Sequence, residues 1–119
     1  MEKATNEKIN EIQIIQQNIQ NLAMQRQQFQ IQETEIESAL SEIENSDTTY
    51  KIIGSIMVKT DKESLKKQLT EKHEMLKIRI SSIEKQEEKL HKAFESLQKE
   101  VLEEIENDKK QGKNTGKHQ

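Results

Sequence analysis

The chain has 119 residues, of which 34% are charged and 30% hydrophobic, with a formal net charge of −3. It contains no Cys, Pro or Trp, one Tyr and two Phe, so disulfides and thiolate metal sites are excluded and a compact aromatic core is hard to build. No apolar run approaches the roughly 20 residues of a membrane span, the first residues carry no secretory signal, and the charge gives no reason to expect nucleic-acid binding. We therefore expect a cytoplasmic protein.

Residues 1–46 predict a first long helix. From Ile12 to Ile43, ten positions recur at alternating steps of three and four, and eight of them are apolar, the exceptions being Arg26 and Glu33. This spacing is typical of the seam of a coiled coil. Neither Pro nor Gly interrupts it.

Residues 47–60 predict a β-hairpin, with the sequence YKIIGSIMVK at its centre. Gly54-Ser55 fits a two-residue type II′ turn, whose first position favours glycine, and pairs Ile53 with Ile56. Strand side chains alternate, so both faces carry apolar residues, and both edges are open to pairing. We expect the hairpin to assemble with other chains, the alternative being that it packs back on its own helices. The predicted assembly residues are Tyr50, Ile52, Ile53, Gly54, Ile56, Met57 and Val58.

Residues 61–108 predict a second long helix. Thr60 and Glu63 have the spacing of a capping box, and the seam from Leu69 to Val101 is again apolar at eight of ten positions, the exceptions being His73 and Glu87. Residues 109–119 hold two glycines, several lysines and no apolar residue, and they predict a disordered basic tail.

Two such helices joined by a short connector should fold back on each other as an antiparallel coiled coil. A connector symmetric about Gly54-Ser55 would pair Ile12 with Leu97 at one level and Leu40 with Leu69 at another. The predicted fold class is therefore mainly α, with a long antiparallel two-helix coiled coil and one β-hairpin between the helices.

The stretch YKIIGSIMVKTDK at residues 50–62, between two heptad helices, closely resembles the β-type subunits of the prefoldin family of archaeal and eukaryotic cytosolic co-chaperones. The resemblance implies a hexamer of two α-type and four β-type subunits, in which the hairpins merge into a β-barrel platform. It also implies that the tips of the coiled coils hold unfolded polypeptides without ATP and pass them to a group II chaperonin.

Apolar residues near the free helix ends are the candidate substrate-binding residues. Some are seam residues, which fraying would expose, and others lie outside the seam. The nine residues are Ile9, Ile12, Ile14, Ile15, Ile19, Leu97, Val101, Leu102 and Ile105. Met24, Ile31, Met75 and Ile78 also lie outside the seam in mid-helix, so this pattern is not unique to the ends.

Four acidic residues lie near the end of the second predicted helix: Glu100, Glu103, Glu104 and Glu106. They could dock on a basic surface of a chaperonin, or they could be a solvated helix face. The lysines that follow in the tail could also touch nucleic acid weakly, but we expect no specific nucleic-acid partner.

No catalytic or cofactor motif is present. The three glycines cannot form a phosphate-binding loop, and His73, His91 and His118 are scattered, without metal-ligand spacing. We therefore predict a chaperone subunit and not an enzyme, without metal or other cofactor. The competing interpretation is a structural coiled-coil adaptor that binds one defined partner, which would have no need of a two-faced apolar hairpin.

Overall fold

A computed structural model describes the backbone of residues 2–116 and the side chains of residues 3–110. Helix α1 spans Glu2–Glu44, strand β1 spans Thr49–Ile53, strand β2 spans Ile56–Thr60 and helix α2 spans Lys62–Gly116. The two strands form a single antiparallel sheet. The predicted mainly α fold with one hairpin between two long helices is confirmed.

The chain divides into two compact units. The hairpin unit comprises residues 24–84, and the terminal unit comprises the residues up to 23 together with those from 85 onward. Each unit contains a segment of α1 and a segment of α2, so each has its own length of helical seam.

In the hairpin unit most seam positions are apolar, and several of them are buried. Its most protected side chains are Ile36, Ile43, Leu76, Ile80 and Ile83, each less than one-tenth exposed.

Two contacts beside the seam of the hairpin unit show how the residues of α1 are aligned with those of α2. The Lys66 ammonium pairs with the Glu44 carboxylate, and the Arg79 guanidinium lies 5.8 Å from the centre of the Phe29 ring. Both contacts are in the antiparallel register that pairs Leu40 with Leu69.

In the terminal unit the seam changes from apolar to polar toward the chain ends. Ile12, Ile15, Ile19 and Leu97 are half-buried, and Val101 is buried. Beyond them, Thr5 and Lys8 of α1 contact Glu104 of α2, in the register that pairs Ile12 with Leu97.

The hairpin pairs as the sequence predicts, with Ile53 opposite Ile56, Ile52 opposite Met57 and Lys51 opposite Val58. Thr49 and Thr60 also pair with each other, at the base of the hairpin. Gly54 has φ of 62°, and no non-glycine residue in the described part of the chain has positive φ. A positive φ at the first turn position alone is the type II′ pattern, which matches the right-handed twist of the strands.

The start of α2 differs from the predicted capping box. The backbone N–H of Ser64 donates to the Asp61 carboxylate at 3.0 Å, and the Leu65 N–H donates to the Asp61 carbonyl at 2.9 Å. Asp61 is therefore the N-cap residue. Thr60 is excluded from that role because its backbone completes β2.

The end of α2 also differs from the prediction. The helix extends to Gly116, beyond the predicted end at residue 108, and residues 117–119 of the predicted disordered tail lie outside the described residues. Lys and Gln are good helix formers, and a single Gly costs a helix only about 1 kcal/mol, so Gly112 does not end it. No helix among the described residues has a stretch apolar and long enough for a membrane span.

Candidate assembly and substrate-binding surfaces

The hairpin exposes its apolar side chains on both faces. On one face Ile52 and Met57 are 69% and 65% exposed, and on the other Ile53 and Ile56 are 58% and 64% exposed. Tyr50 and Val58 are exposed as well. The alternative in which the hairpin packs back on its own helices is therefore wrong, and all six apolar members of the predicted assembly set are available to other molecules.

The base of the hairpin is anchored, in contrast to its tip. Thr49 is buried, and its hydroxyl donates to the Thr60 carbonyl at 2.9 Å. The Lys51 ammonium donates to the Gln68 side-chain oxygen at 3.2 Å, and the Lys62 ammonium donates to the Glu44 carbonyl at 3.3 Å. The Lys51–Gln68 contact attaches β1 to α2, and the Lys62–Glu44 contact joins the two helix ends next to the hairpin. The apolar faces of the strands stay open.

The predicted substrate-binding residues of the terminal unit fall into two groups. The five seam residues are half-buried or buried and contribute little free surface: Ile12, Ile15, Ile19, Leu97 and Val101. The four residues outside the seam are exposed: Ile9, Ile14, Leu102 and Ile105. Most of the exposed apolar surface of this unit therefore comes from positions outside the seam.

A polar cluster joins α1 to α2 near the chain ends; we call Thr5, Lys8 and Glu104 the terminal clamp. The Thr5 hydroxyl and the Lys8 ammonium both donate to the Glu104 carboxylate. The hydrogen bond from Lys8, and then that from Thr5, hold the pKa of Glu104 below its ordinary value. The hydrogen bond with Glu104 raises the pKa of Lys8. The clamp closes the seam with polar contacts where its apolar positions end.

Lys8 also partly neutralises the charge of the predicted acidic docking surface on α2. Lys8 pairs with Glu104 and lies 3.5 Å from the Glu100 carboxylate. Glu103 and Glu106 are exposed. Sequence spacing shows the acidic run on α2 but not the cation that α1 brings beside it.

Exposed apolar residues also occur in the hairpin unit. Met24, Ile31, Met75 and Ile78 are each more than half exposed. They are as exposed as Ile14 or Leu102 of the terminal unit. Exposure alone therefore does not distinguish a substrate-binding surface from other exposed apolar residues. The four mid-helix residues provide a matched control for those of the terminal unit.

The prefoldin subunit family model matches residues 6–113, which is most of the chain. The chain belongs to the prefoldin family. The resemblance seen in the hairpin sequence is thereby confirmed, and the family consists of chaperone subunits, not of enzymes.

Curated prefoldin β subunits are similar to this chain over most of their length. That of Methanospirillum hungatei is 38% identical over 101 residues, which cover 82% of this chain and 84% of the relative. That of Archaeoglobus fulgidus is 38% identical over 94 residues, covering 76% and 81%. The crystal structure of the prefoldin β subunit from Thermococcus strain KS-1 has a TM-score of 0.79 and 31% identity, covering 84% of this chain and 90% of that one.

One group of residues in this prefoldin-family chain was missed by sequence reasoning. Glu33, Glu37 and His73 each offer one ligand-type atom, and these atoms all lie within 4.8 Å of one another. The available signal was the E-x-x-x-E spacing on α1, which places two carboxylates on one helix face. Nothing in the linear sequence of α2 shows that His73 joins them, because that depends on the register of the two helices.

Proposed function

We propose that the chain is the β-type subunit of a cytoplasmic, ATP-independent holdase. In this proposal the hairpin joins it to α-type prefoldin subunits in a hexamer of two α-type and four β-type chains. The exposed apolar residues of the terminal unit then bind unfolded polypeptides, which the complex passes to a group II chaperonin. The family membership and the exposure of the hairpin support this proposal over a simple coiled-coil adaptor.

The single observation that carries the proposal is the uncovered hairpin. Two strands alone are marginally stable in water, and this pair presents Ile52 and Met57 on one face and Ile53 and Ile56 on the other. Burial contributes roughly 25 cal/mol for each Å² of apolar surface removed from water. Strands from other subunits would cover the faces and occupy the open edges, which is how β-barrels avoid exposed edges.

Weak hydrophobic contact is the interaction that a holdase requires. Ile9, Ile14, Leu102 and Ile105 are exposed on a unit whose own seam is closed by the terminal clamp. They can therefore contact a client without opening the coiled coil. Several subunits acting on one client would add their modest affinities through a high effective concentration.

The proposed chaperonin-docking surface retains Glu103 and Glu106 as its exposed acids, with Glu100 and Glu104 held by Lys8. Exposed acids of this kind mainly accelerate association with a basic surface. Unchanged chaperonin binding by a Glu103→Gln, Glu106→Gln variant would contradict this part of the proposal.

The proposal is tested with the chain mixed with an α-type prefoldin subunit, by light-scattering mass and by suppression of aggregation of a denatured protein without nucleotide. Ile53→Lys with Ile56→Lys should prevent assembly, because each charge would be buried between strands. The matched control is Met24→Lys with Ile31→Lys, which alters residues of similar exposure outside the sheet and should assemble normally. Normal assembly of the hairpin variant would overturn the proposed role of the hairpin.

The second arm of the experiment concerns the client. Replacing Ile9, Ile14, Leu102 and Ile105 with Ser should leave the mass of the assembly unchanged and abolish suppression of aggregation. The same replacement of Met24, Ile31, Met75 and Ile78 is the control, and it should have the smaller effect. Full activity of the terminal-unit variant would overturn the proposed binding surface.

A further inference from the structure

Two carboxylates and an imidazole converge in the hairpin unit, on the seam side of the helices. Glu33 and His73 are both seam residues of intermediate exposure, and Glu37 is an exposed neighbour one turn after Glu33. Nε2 of His73 lies 3.0 Å from Oε1 of Glu37, and the ligand-type atoms of all three residues lie within 4.8 Å of one another.

Two of these three polar residues occupy positions where a coiled coil usually has apolar ones. Seam positions in a coiled coil favour apolar side chains, yet here two polar seam residues, Glu33 and His73, are brought together. Like charges at i, i+4 on a helix are destabilising by roughly 0.2–0.5 kcal/mol, so Glu33 and Glu37 disfavour the helix unless a cation reduces their repulsion. A positively charged ligand would relieve this cost.

The distances suit a small divalent ion. In a tetrahedral site with ligands at about 2.0–2.2 Å from the metal, two ligand atoms lie roughly 3.3–3.6 Å apart. Nε2 of His73 and Oε1 of Glu37 are 3.0 Å apart, at hydrogen-bonding distance, and need to separate by only a few tenths of an ångström to reach this spacing. A carboxylate oxygen of Glu33 lies within 4.8 Å of both of these atoms, so it has to approach by no more than about 1.5 Å to reach the same spacing.

We propose that Glu33, Glu37 and His73 form a binding site for a divalent first-row transition-metal cation of the Zn²⁺ type. One imidazole nitrogen and two carboxylate oxygens are ligands that such ions accept, with water completing the coordination. Mg²⁺ and Ca²⁺ fit less well, because they prefer oxygen ligands alone. The site joins α1 to α2, so the bound ion cross-links the two helices of the hairpin unit. This inference does not depend on the proposed holdase function.

The test is calorimetric titration of the full untagged chain with ZnSO₄, followed by repetition with two variants and their matched controls. His73→Leu removes the imidazole and restores an apolar seam residue, which favours folding. Glu37→Gln removes one carboxylate and keeps its shape. Each should weaken Zn²⁺ binding at least about tenfold, since even loss of a residue that only supports a ligand costs roughly 10- to 100-fold.

The controls are His91→Leu and Glu35→Gln, which change an exposed histidine and an exposed glutamate outside the cluster. Both should bind Zn²⁺ as the unaltered chain does. A second measurement is thermal unfolding: an ion that binds only the folded state raises Tm, so Zn²⁺ should raise the Tm of the controls but not that of His73→Leu.

Three results would overturn the proposal. The first is no Zn²⁺ binding by the unaltered chain, which would leave the cluster as a hydrogen bond between His73 and Glu37 with a neighbouring acid. The second is undiminished binding by His73→Leu and Glu37→Gln. The third is loss of binding in His91→Leu alone, which would place the ion elsewhere.

Discussion

Isoleucine has opposite surroundings in two parts of the hairpin unit. In the helical seam, Ile80 is 7% exposed, whereas in the hairpin Ile53 is 58% exposed. Both belong to regular elements and both follow the apolar period of their element. The difference lies in the number of partners that the chain itself supplies.

A helix in a two-stranded coiled coil has one apolar face, and the second helix covers it. A hairpin with apolar residues on both faces needs cover on two sides, and two strands leave both edges open. The seam can therefore be completed by one chain, and the hairpin cannot. The comparison shows that isoleucine stabilises the folded chain in the seam, whereas in the hairpin it remains available for association with other chains.

The largest expected effect separates the two regions directly. Leu76 is only 4% exposed, so Leu76→Ala should lower the free energy of unfolding of the isolated chain by about 2–4 kcal/mol. Ile53→Ala should change it by no more than about 0.5 kcal/mol, as is usual for exposed positions. Urea unfolding followed by helical circular dichroism measures both.

The same two variants, Leu76→Ala and Ile53→Ala, also test whether the seam and the hairpin differ in this way. Once an α-type subunit is added, Ile53→Ala should weaken association, because the removed methyl groups would then have been buried. If Ile53→Ala destabilises the isolated chain as much as Leu76→Ala does, the hairpin already packs within its own chain and the distinction between the regions fails.

A smaller effect is expected at the turn of the hairpin. Gly54 has φ of 62°, and a Cβ at this position would meet no atom within 4 Å. Gly54→Ala should therefore cost only the backbone strain of a non-glycine residue with positive φ, about 1–2 kcal/mol. Because an isolated two-stranded hairpin is marginally stable in water, this strain should appear as roughly 5- to 30-fold weaker association with an α-type subunit, measured by titration calorimetry.

Ser55→Ala is the control at the turn, because Ser55 does not have positive φ. Its association should match that of the unaltered chain. Equal loss in both variants would mean that side-chain contacts at the turn matter and that the backbone conformation does not. Such a result would place part of the assembly surface on Ser55.

The seam and the strand pairing follow from local periodicity, which is why both could be predicted. The 3–4 spacing from Ile12 to Ile43 gives one helix face, and Gly54-Ser55 sets the register of the strands. The helix ends could not be predicted as well, because competing local signals decide them. Thr60 is needed by β2 and Asp61 caps α2 instead, while the weak breaker Gly112 does not end the helix.

The surfaces were harder to predict than the elements, because they depend on contacts between helices. Heptad position alone identifies Ile14 and Leu102 as lying outside the seam, and both are exposed. It does not show that Lys8 reaches Glu100 and Glu104. Nor does it show His73 beside Glu33 and Glu37, since a shift in register would separate them.

The smallest expected effect concerns two ion pairs that border the seam, Lys8–Glu104 in the terminal unit and Lys66–Glu44 in the hairpin unit. In each, the hydrogen bond with Lys holds the pKa of the Glu below its ordinary value of 4.5. A lowered pKa in the folded state means stabilisation above pH 4.5 that disappears as the pH falls through the folded value. Each Lys has a raised pKa, so its contribution is present below 10.5 and is lost only above it.

Lys8→Met should therefore lower Tm slightly at about pH 7, and the difference from the unaltered chain should shrink as the pH falls below 4.5 and vanish once Glu104 is protonated in the folded state. Lys66→Met is the comparison. Its pair is more exposed, with side-chain exposures of 41% and 54% against 29% and 22%, so solvent screens it more and its effect should be smaller. Thermal unfolding across this pH range measures both. A Lys8→Met difference that persists at low pH would mean that the alkyl chain of Lys8, packed at the end of the seam, contributes more than its charge, because packing does not titrate.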